Sequence, residues 1–183
     1  LNLDHLIKDC VRQNRKAQEE LYQLYKNTLF ALSLKYCPNE AEAEDNLHDS
    51  FIEIFTNIKN YKGNGSFEGW IKRITINKAI MRYKQSYLLT AIKDDFSQDD
   101  TVNESEIDFS LDTILSFVQE LPHQYRLVFS LYELDDYTHK EIATMLSISE
   151  STSKSNLHRA KQILKLKIKS KNTFYYSKQK NGD

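Results

Sequence analysis

The chain has 183 residues, enough for one ordinary domain or two small ones, and its 28% charged and 40% hydrophobic residues describe a globular chain, not a disordered one. A formal net charge of −1 excludes a simple polybasic coat for nucleic acid, and four glycines with two prolines are too few for a β-rich protein and favour long helices. Cys10 and Cys37 stand far apart with no clustered histidine, which excludes a disulfide framework or a zinc site. No metal and no cofactor are expected. No apolar run approaches membrane-spanning length and no signal-peptide core is present, so a reducing cytoplasm is the expected location. The chain opens on Leu1, not on methionine, so its start is expected to be incomplete.

Apolar residues first fall into helical rhythm at Leu21, Leu24, Tyr25, Thr28, Leu29, Leu32 and Tyr36. Pro38 and Asn39 end that helix, and Asn39 can cap the next with Glu42 three places on. The second rhythm runs through Ala43, Leu47, Phe51, Ile54, Phe55 and Ile58. A loop, Gly63-Asn64-Gly65-Ser66-Phe67-Glu68-Gly69, precedes a third helix from about Trp70 to Lys84, with Trp70, Ile74, Asn77 and Met81 along one side. That side is read as the apolar one. Eight acidic residues and no lysine or arginine lie between Asp94 and Asp112, a composition suited to a solvated, flexible linker. Helices resume near Thr113, and Leu121-Pro122 places a proline at a helix start. The expected architecture is all-α, with two small helical domains joined by an acidic linker.

The strongest local signal is the run from Tyr137 to Ser149. Thr138 with Glu141 forms a capping box, and Ile142, Ala143 and Leu146 give the short helix an apolar face. Ser147-Ile148-Ser149 is a tight turn, after which Ser149 can cap a longer helix carrying Leu157, Ala160, Leu164 and Ile168 inward. A short helix, tight turn and longer helix is the helix-turn-helix arrangement, whose second helix enters the DNA major groove. Ser151, Thr152 and Ser153 at its N-terminus suit phosphate, and Lys154, Asn156, His158, Arg159 and Lys161 can reach backbone or base edges. From Glu150 onward there are nine Lys or Arg against two acids, so the near-zero total hides a basic end.

The first half carries charge of both signs. Glu42, Asp45, Asp49 and Glu53 form an acidic stripe along one helix, a like-charge spacing that a basic partner would relieve and that a solvated face would also explain. From Lys72 to Lys93 there are six bases and no acid, with Tyr61, Phe67, Trp70 and Tyr83 nearby. Cations mixed with aromatics serve single-stranded nucleic acid, though Phe67 and Trp70 are also natural core residues. Asn77, on the side read as apolar, either bonds a neighbouring backbone group or faces nucleic acid. The glycine loop lacks the Gly-Lys-Ser/Thr ending of a phosphate-binding loop. No nucleophile–base pair or paired carboxylates suggest an active site, so no enzymatic activity and no small-molecule substrate are expected.

These blocks, in this order, resemble the extracytoplasmic-function sigma factors of bacterial RNA polymerase. Leu21 to Tyr25, Ala43 to Phe51 and Ser66 to Asn77 are similar to that family's first domain; Leu121-Pro122, Glu141 to Ala143 and Lys154 to Ala160 are similar to its second. The resemblance implies a polymerase- and −10-binding domain over residues 1–90, a linker over 91–112, a −35-reading helix-turn-helix domain over 113–172, and a basic tail over 173–183. It implies that Asp45, His48, Asp49 and Phe51 dock on the β′ clamp helices of core RNA polymerase, with the β flap a further contact. It assigns Tyr61, Asn64, Phe67, Lys72, Arg73, Asn77, Lys78 and Arg82 to the −10 promoter element. Ser151, Thr152, Ser153, Lys154, Asn156, His158, Arg159 and Lys161 would read the −35 element. An anti-sigma factor is an expected partner of such a chain.

Four positions depart from the family pattern. His48 stands where Gln is usual, Met81 where Asp is usual, Ser147 where Gly is common, and Ser153 where an apolar residue is common. Two other readings compete: a stand-alone helix-turn-helix regulator of duplex DNA, and a helical adaptor that sequesters a partner.

Overall fold

The computed structural model describes residues 2–89 and 110–180, with side chains over 2–85 and 110–171. Every regular element among the described residues is helical. The chain divides into two compact units, Leu1–Arg82 and Tyr83–Asp183. Most of the expected linker, residues 90–109, lies outside the described residues.

The first unit is built from α1 (Leu3–Val11), α2 (Arg15–Tyr36), α3 (Glu40–Asn57), a 3₁₀ turn at Ile58–Asn60, and α4, which begins at Phe67 and runs to Leu89. Asparagine starts three of these helices. Asn2, Asn14 and Asn39 each accept a backbone N–H of the first turn with the side-chain oxygen, as the otherwise orphaned donors there require. Buried residues of α2 recur at Ala17, Leu21, Tyr25, Leu29, Leu32 and Tyr36. Leu24 and Thr28, expected in that face, are exposed.

At the centre, the Asn46 side chain is fully buried and donates from Nδ2 to Ser33 Oγ (3.0 Å) on α2 and to the Thr75 carbonyl (3.2 Å) on α4. Ser33 in turn donates to the Leu29 carbonyl, and Ser50 donates to the carbonyl of Asn46. One amide thereby ties three helices together. Burying it is tolerable only because its donors are met.

The second unit contains α5 (Leu111–Gln119), α6 (His123–Phe129) continued by a π-helical turn at Ser130–Leu134, α7 (His139–Leu146) and α8 (Glu150–Lys180). Ser110 caps α5, so that helix begins two residues before the expected Thr113, and Leu111 and Asp112 belong to it, not to the linker. Pro122 precedes α6 and its carbonyl accepts from Tyr125 and Arg126, consistent with a proline where no N–H is needed. Leu121, Tyr125 and Ala160 are buried together, with Phe129, Ile163 and Leu164 packed against them. Arg126 is 1% exposed, and its Nη1 donates to the carbonyls of Gln119 (2.7 Å) and Leu121 (3.0 Å), holding the α5–α6 turn from inside. The long final helix continues through the segment read from sequence as a tail, up to Lys180.

Both cysteines are buried and unbridged. Burial, with Asp9 and Glu20 adding to it, pushes the Cys10 thiol up to about 11, so it remains protonated and unreactive at neutral pH.

Candidate functional surfaces

The helix-turn-helix forms as its sequence prescribes. Thr138 Oγ1 accepts from the Glu141 backbone N–H while a Glu141 carboxylate oxygen accepts from the Thr138 N–H (2.9 Å), closing the capping box. α7 ends at Ser147 in the left-handed region (φ 58°, ψ 45°), the conformation for which glycine is preferred, so serine here carries some strain. Ser149 then caps α8, its Oγ accepting from the Thr152 N–H (3.0 Å).

Six of the eight residues assigned to the −35 element are exposed along α8: Ser151, Thr152, Lys154, His158, Arg159 and Lys161. Arg159 is steadied by a bond from Nη1 to the hydroxyl of buried Tyr125 (3.2 Å). Lys161 is paired with Glu133 (2.7 Å), which diminishes its charge toward a phosphate. The other two turn inward. Ser153 is wholly buried and shares a hydrogen bond with His139 Nδ1 (2.9 Å), and Asn156 is buried as well, so neither presents itself to DNA. Their inward turn follows from the same face that buries Leu157 and Ala160. The bond to His139 accounts for a serine at a position usually apolar: it joins the starts of α7 and α8. His139 also stacks on Tyr132, with ring centroids 4.4 Å apart. Burial and the charge of Lys154 lower its pKa, against a weaker opposing pull from Glu150, so the neutral ring is favoured. Ser155, exposed between Lys154 and His158, belongs to the same outward face and was not singled out from sequence.

In the first unit the glycine loop is shaped by Gly63 (φ 74°) and Gly65 (φ 92°), both in the region that disfavours side chains. The Tyr61 hydroxyl donates to the Gly65 carbonyl (2.7 Å) and closes the loop. Tyr61, Phe67 and Trp70 form a cluster with centroid separations of 5.2 to 5.6 Å. Phe67 is its buried floor, also touching Tyr25, and so is core and offers no surface for a base. Asn64 stands exposed at the tip.

α4 presents the opposite side from the one expected. Its buried face is Phe67, Ile71, Thr75, Ile76, Ala79 and Ile80, whereas Asn77 and Met81 are exposed and Trp70 and Ile74 are half-buried. Asn77 therefore needs no internal partner and lies on the same outward side as exposed Arg73. Lys72 is half-buried and pairs with Glu68 (2.6 Å).

The remaining two cations assigned to DNA face the acidic stripe. Arg82 donates to Asp49 Oδ2 from Nη2 (2.6 Å) and Nε (3.2 Å), and its Nη1 lies 3.7 Å from Asp45. Lys78 pairs with Glu53 (2.8 Å). Burial works against the Arg82 charge, but the hydrogen bond and charge of Asp49, with Asp45 beyond, outweigh it and raise the guanidinium pKa. Of the four residues assigned to polymerase docking, Asp45 and His48 are exposed and Asp49 is half-buried. Phe51 is 4% exposed and packs on Tyr22 and Phe55, so it supports α3 from beneath and cannot be a surface contact. Ile52, one turn beyond His48 and 66% exposed, is the apolar residue that the α3 surface does present.

A helical unit with an aromatic-lined loop and an outward Arg73 on α4, followed by a helix-turn-helix unit, is the form of a two-domain DNA-binding protein. Family models agree with each half: sigma-70 region 2 matches residues 21–87 and sigma-70 region 4 matches residues 111–164. The chain is 27% identical to the ECF RNA polymerase sigma factor SigW of Bacillus subtilis, over 91% of this chain and 99% of that one. It is 27% identical to SigM of the same organism, over 80% and 92%. The sigma factor RpoE of Bartonella quintana, solved in complex with the anti-sigma factor NepR, shares the fold with a TM-score of 0.53 at 16% identity, over 82% of this chain and 96% of that one. The protein belongs to the extracytoplasmic-function sigma factors of the sigma-70 family, DNA-binding initiation factors that direct core RNA polymerase to promoters.

Proposed function

We propose that the two units divide promoter recognition as follows. The exposed face of α3, with Asp45, His48, Asp49 and Ile52, docks on the β′ clamp helices of core RNA polymerase, and the second unit contacts the β flap. Asn64 and Tyr61 of the glycine loop, with Arg73 and Asn77 on the outward side of α4, hold the opened −10 strand. Capturing an extruded base in such a loop offsets the few kcal/mol, on the order of a stacking step, that unstacking costs. Ser151, Thr152, Lys154, His158 and Arg159 of α8 take the −35 element. The chain supplies no catalytic group of its own and works in the cytoplasm, and an anti-sigma factor, such as the one bound to the Bartonella quintana relative, is a natural partner.

The observation that carries this reading is the outward placement of Arg73 and Asn77 beside the aromatic loop in the first unit. A stand-alone duplex-binding regulator would use the helix-turn-helix and leave that surface idle. The test is co-elution of the purified chain with sigma-free core polymerase on a sizing column. A stoichiometric complex, lost in Asp49→Lys, is the expected result. Binding of that variant equal to wild type would remove α3 from the docking surface, and failure of the folded wild type to bind an active core would favour the stand-alone regulator.

A further inference from the structure

The first turn of the reading helix is fastened to α7 by a bond that only one protonation state of its ring makes well. Ser153 lies between Thr152 and Lys154 of the exposed edge, yet its side chain is wholly buried and its hydroxyl meets His139 Nδ1 at 2.9 Å. A hydroxyl carries a donor as well as lone pairs, and leaving its proton unmatched in the interior is costly. With Nδ1 as its partner, Ser153 must donate and Nδ1 must accept, which places the ring proton on Nε2. A doubly protonated ring has no acceptor nitrogen. Its Nδ1 can only donate, which turns the bond around and strands the Ser153 proton. The surroundings favour the neutral ring. His139 is the first residue of α7 and faces the first turn of α8, so it sits at the positive ends of two helix dipoles. Burial disfavours the charged ring, Lys154 of α8 opposes it next, and Glu150 of the same helix invites it more weakly. From the π-helical turn Tyr132 stacks on the ring, while Glu133 there is engaged by Lys161. On α7 itself, Glu141 is held in the capping box.

We propose that His139 is a positioning residue for the reading helix: with its proton on Nε2 it holds the first turn of α8 through Ser153, and a second proton on the ring releases that turn. This rests on the assignment of the α8 edge to the −35 element. Thr152 and Lys154 flank Ser153 and belong to that edge, so a shift of the first turn moves both against the DNA. His139 thus acts on promoter choice through Ser153 and not by touching a base. The direction follows from the bond. The neutral ring is the competent form, so discrimination between promoter and other duplex is full above about pH 6.5, the ordinary histidine value. It declines as pH falls below that value, because the ring in place takes its proton less readily than a free one. One ordinary hydrogen bond sets the scale of the loss, about fivefold.

The test uses holoenzyme assembled from the full chain and sigma-free core polymerase. A duplex is enriched from a randomised pool by wild-type holoenzyme at about pH 7.5, and its affinity is compared with that of a copy shuffled in its upstream half. The ratio of the two affinities is read by fluorescence anisotropy down to about pH 5, with circular dichroism at each pH to follow folding. The wild-type ratio is expected to fall by up to about fivefold over that interval. His139→Asn, whose side-chain oxygen takes the place of Nδ1 as acceptor, should match the wild type at the upper pH and stay level below it. His139→Ala should begin about fivefold lower and decline no further. Ser153→Ala should match it, and the combination should add nothing. His158 is common to every arm, so differences between variants report on the His139–Ser153 pair. A wild-type ratio that stays level, or a His139→Asn ratio that falls with it, would overturn the positioning role and leave the functional assignment standing. A wild type that forms no holoenzyme, or enriches no duplex, would overturn both.

Discussion

The two units present cations to nucleic acid in opposite ways. In the first, Lys78 and Arg82 reach across to carboxylates of a neighbouring helix and Lys72 pairs within its own, while Arg73 faces outward beside Asn77. In the second, Lys154, His158 and Arg159 lie along the exposed edge of one helix, while the polar residues that could have joined them, Ser153 and Asn156, are turned into the core. The difference follows from the helices beside them. α4 packs next to a helix that carries four acids at helical spacing, whereas α8 has its carboxylate partners, Glu133 and Glu120, further along at Lys161 and Lys167. The printed carboxylate pairs of α8 thus lie beyond its first turns, whereas those of α4 fall on Lys78 and Arg82 themselves.

The largest effect expected from breaking this contrast is structural. Each unit holds a buried polar side chain that bonds separate parts of its backbone, and the second unit's is the larger. Arg126→Ala removes the donor to two interior carbonyls and leaves a cavity, and should cost the second unit about 3 kcal/mol or more in urea unfolding. Asn46→Ala loses two bonds that join three helices and should cost the first unit about 2 kcal/mol. Each loss should appear in the unfolding of its own unit, and an equal loss in both would show that they unfold as one.

The next effect lies in DNA binding. Lys154→Ala and Arg159→Ala should each weaken promoter binding by holoenzyme and lower the slope of log affinity against log salt by about one phosphate equivalent. Ser153→Ala and Asn156→Ala should leave that slope unchanged and lower stability instead. A reduced slope for Asn156→Ala would place that residue in the groove despite its burial in the free protein.

The smallest effect is a pH dependence confined to the second unit. His139 has a pKa below its ordinary value in the folded state, so the folded protein binds its proton less readily than the unfolded chain. The stability that this neutral ring supports is fully present above about pH 6.5, the unfolded value, and is lost as pH falls through the lower folded value. His139→Gln should flatten unfolding midpoints measured over that interval, and an unchanged slope would assign the dependence to another group.

Much of this was legible in the sequence where the determinant is local. The caps at Asn39, Thr138 with Glu141, and Ser149 need only neighbours three residues away, and each formed as read. The two-unit helical organisation and the turn at Ser147 were equally visible. The face of α4 was not, because two stripes compete at the same spacing. Trp70, Ile74 and Met81 are larger and more apolar than Thr75 and Ala79, yet the smaller set is buried, with Phe67 and Ile71. Close approach to α3 favours small side chains there, and composition alone weights the large ones. The Arg82–Asp49 pair was invisible for another reason: 33 residues separate the partners, and no local pattern says that α3 and α4 run side by side. Phe51 and Phe67 received binding roles from the family resemblance although helical rhythm and aromatic character already offered them to the core, and Ser153 and Asn156 received theirs from their chemistry; all four are buried, in phase with apolar neighbours.

The final helix has a mechanical consequence. Its 31 residues, Glu150–Lys180, span about 46 Å at the usual rise, and the reading residues occupy only the first turns. Contacts from Ala160 as far as Lys171, which lies over the Phe117 ring, fasten the middle of this rod to its domain. Rod and domain thus tilt as one body, and a rotation of about 5° at the reading end sweeps the far tip through about 4 Å. A reporter fixed near Lys180 would register, as a magnified displacement, how the opposite end seats itself on a promoter.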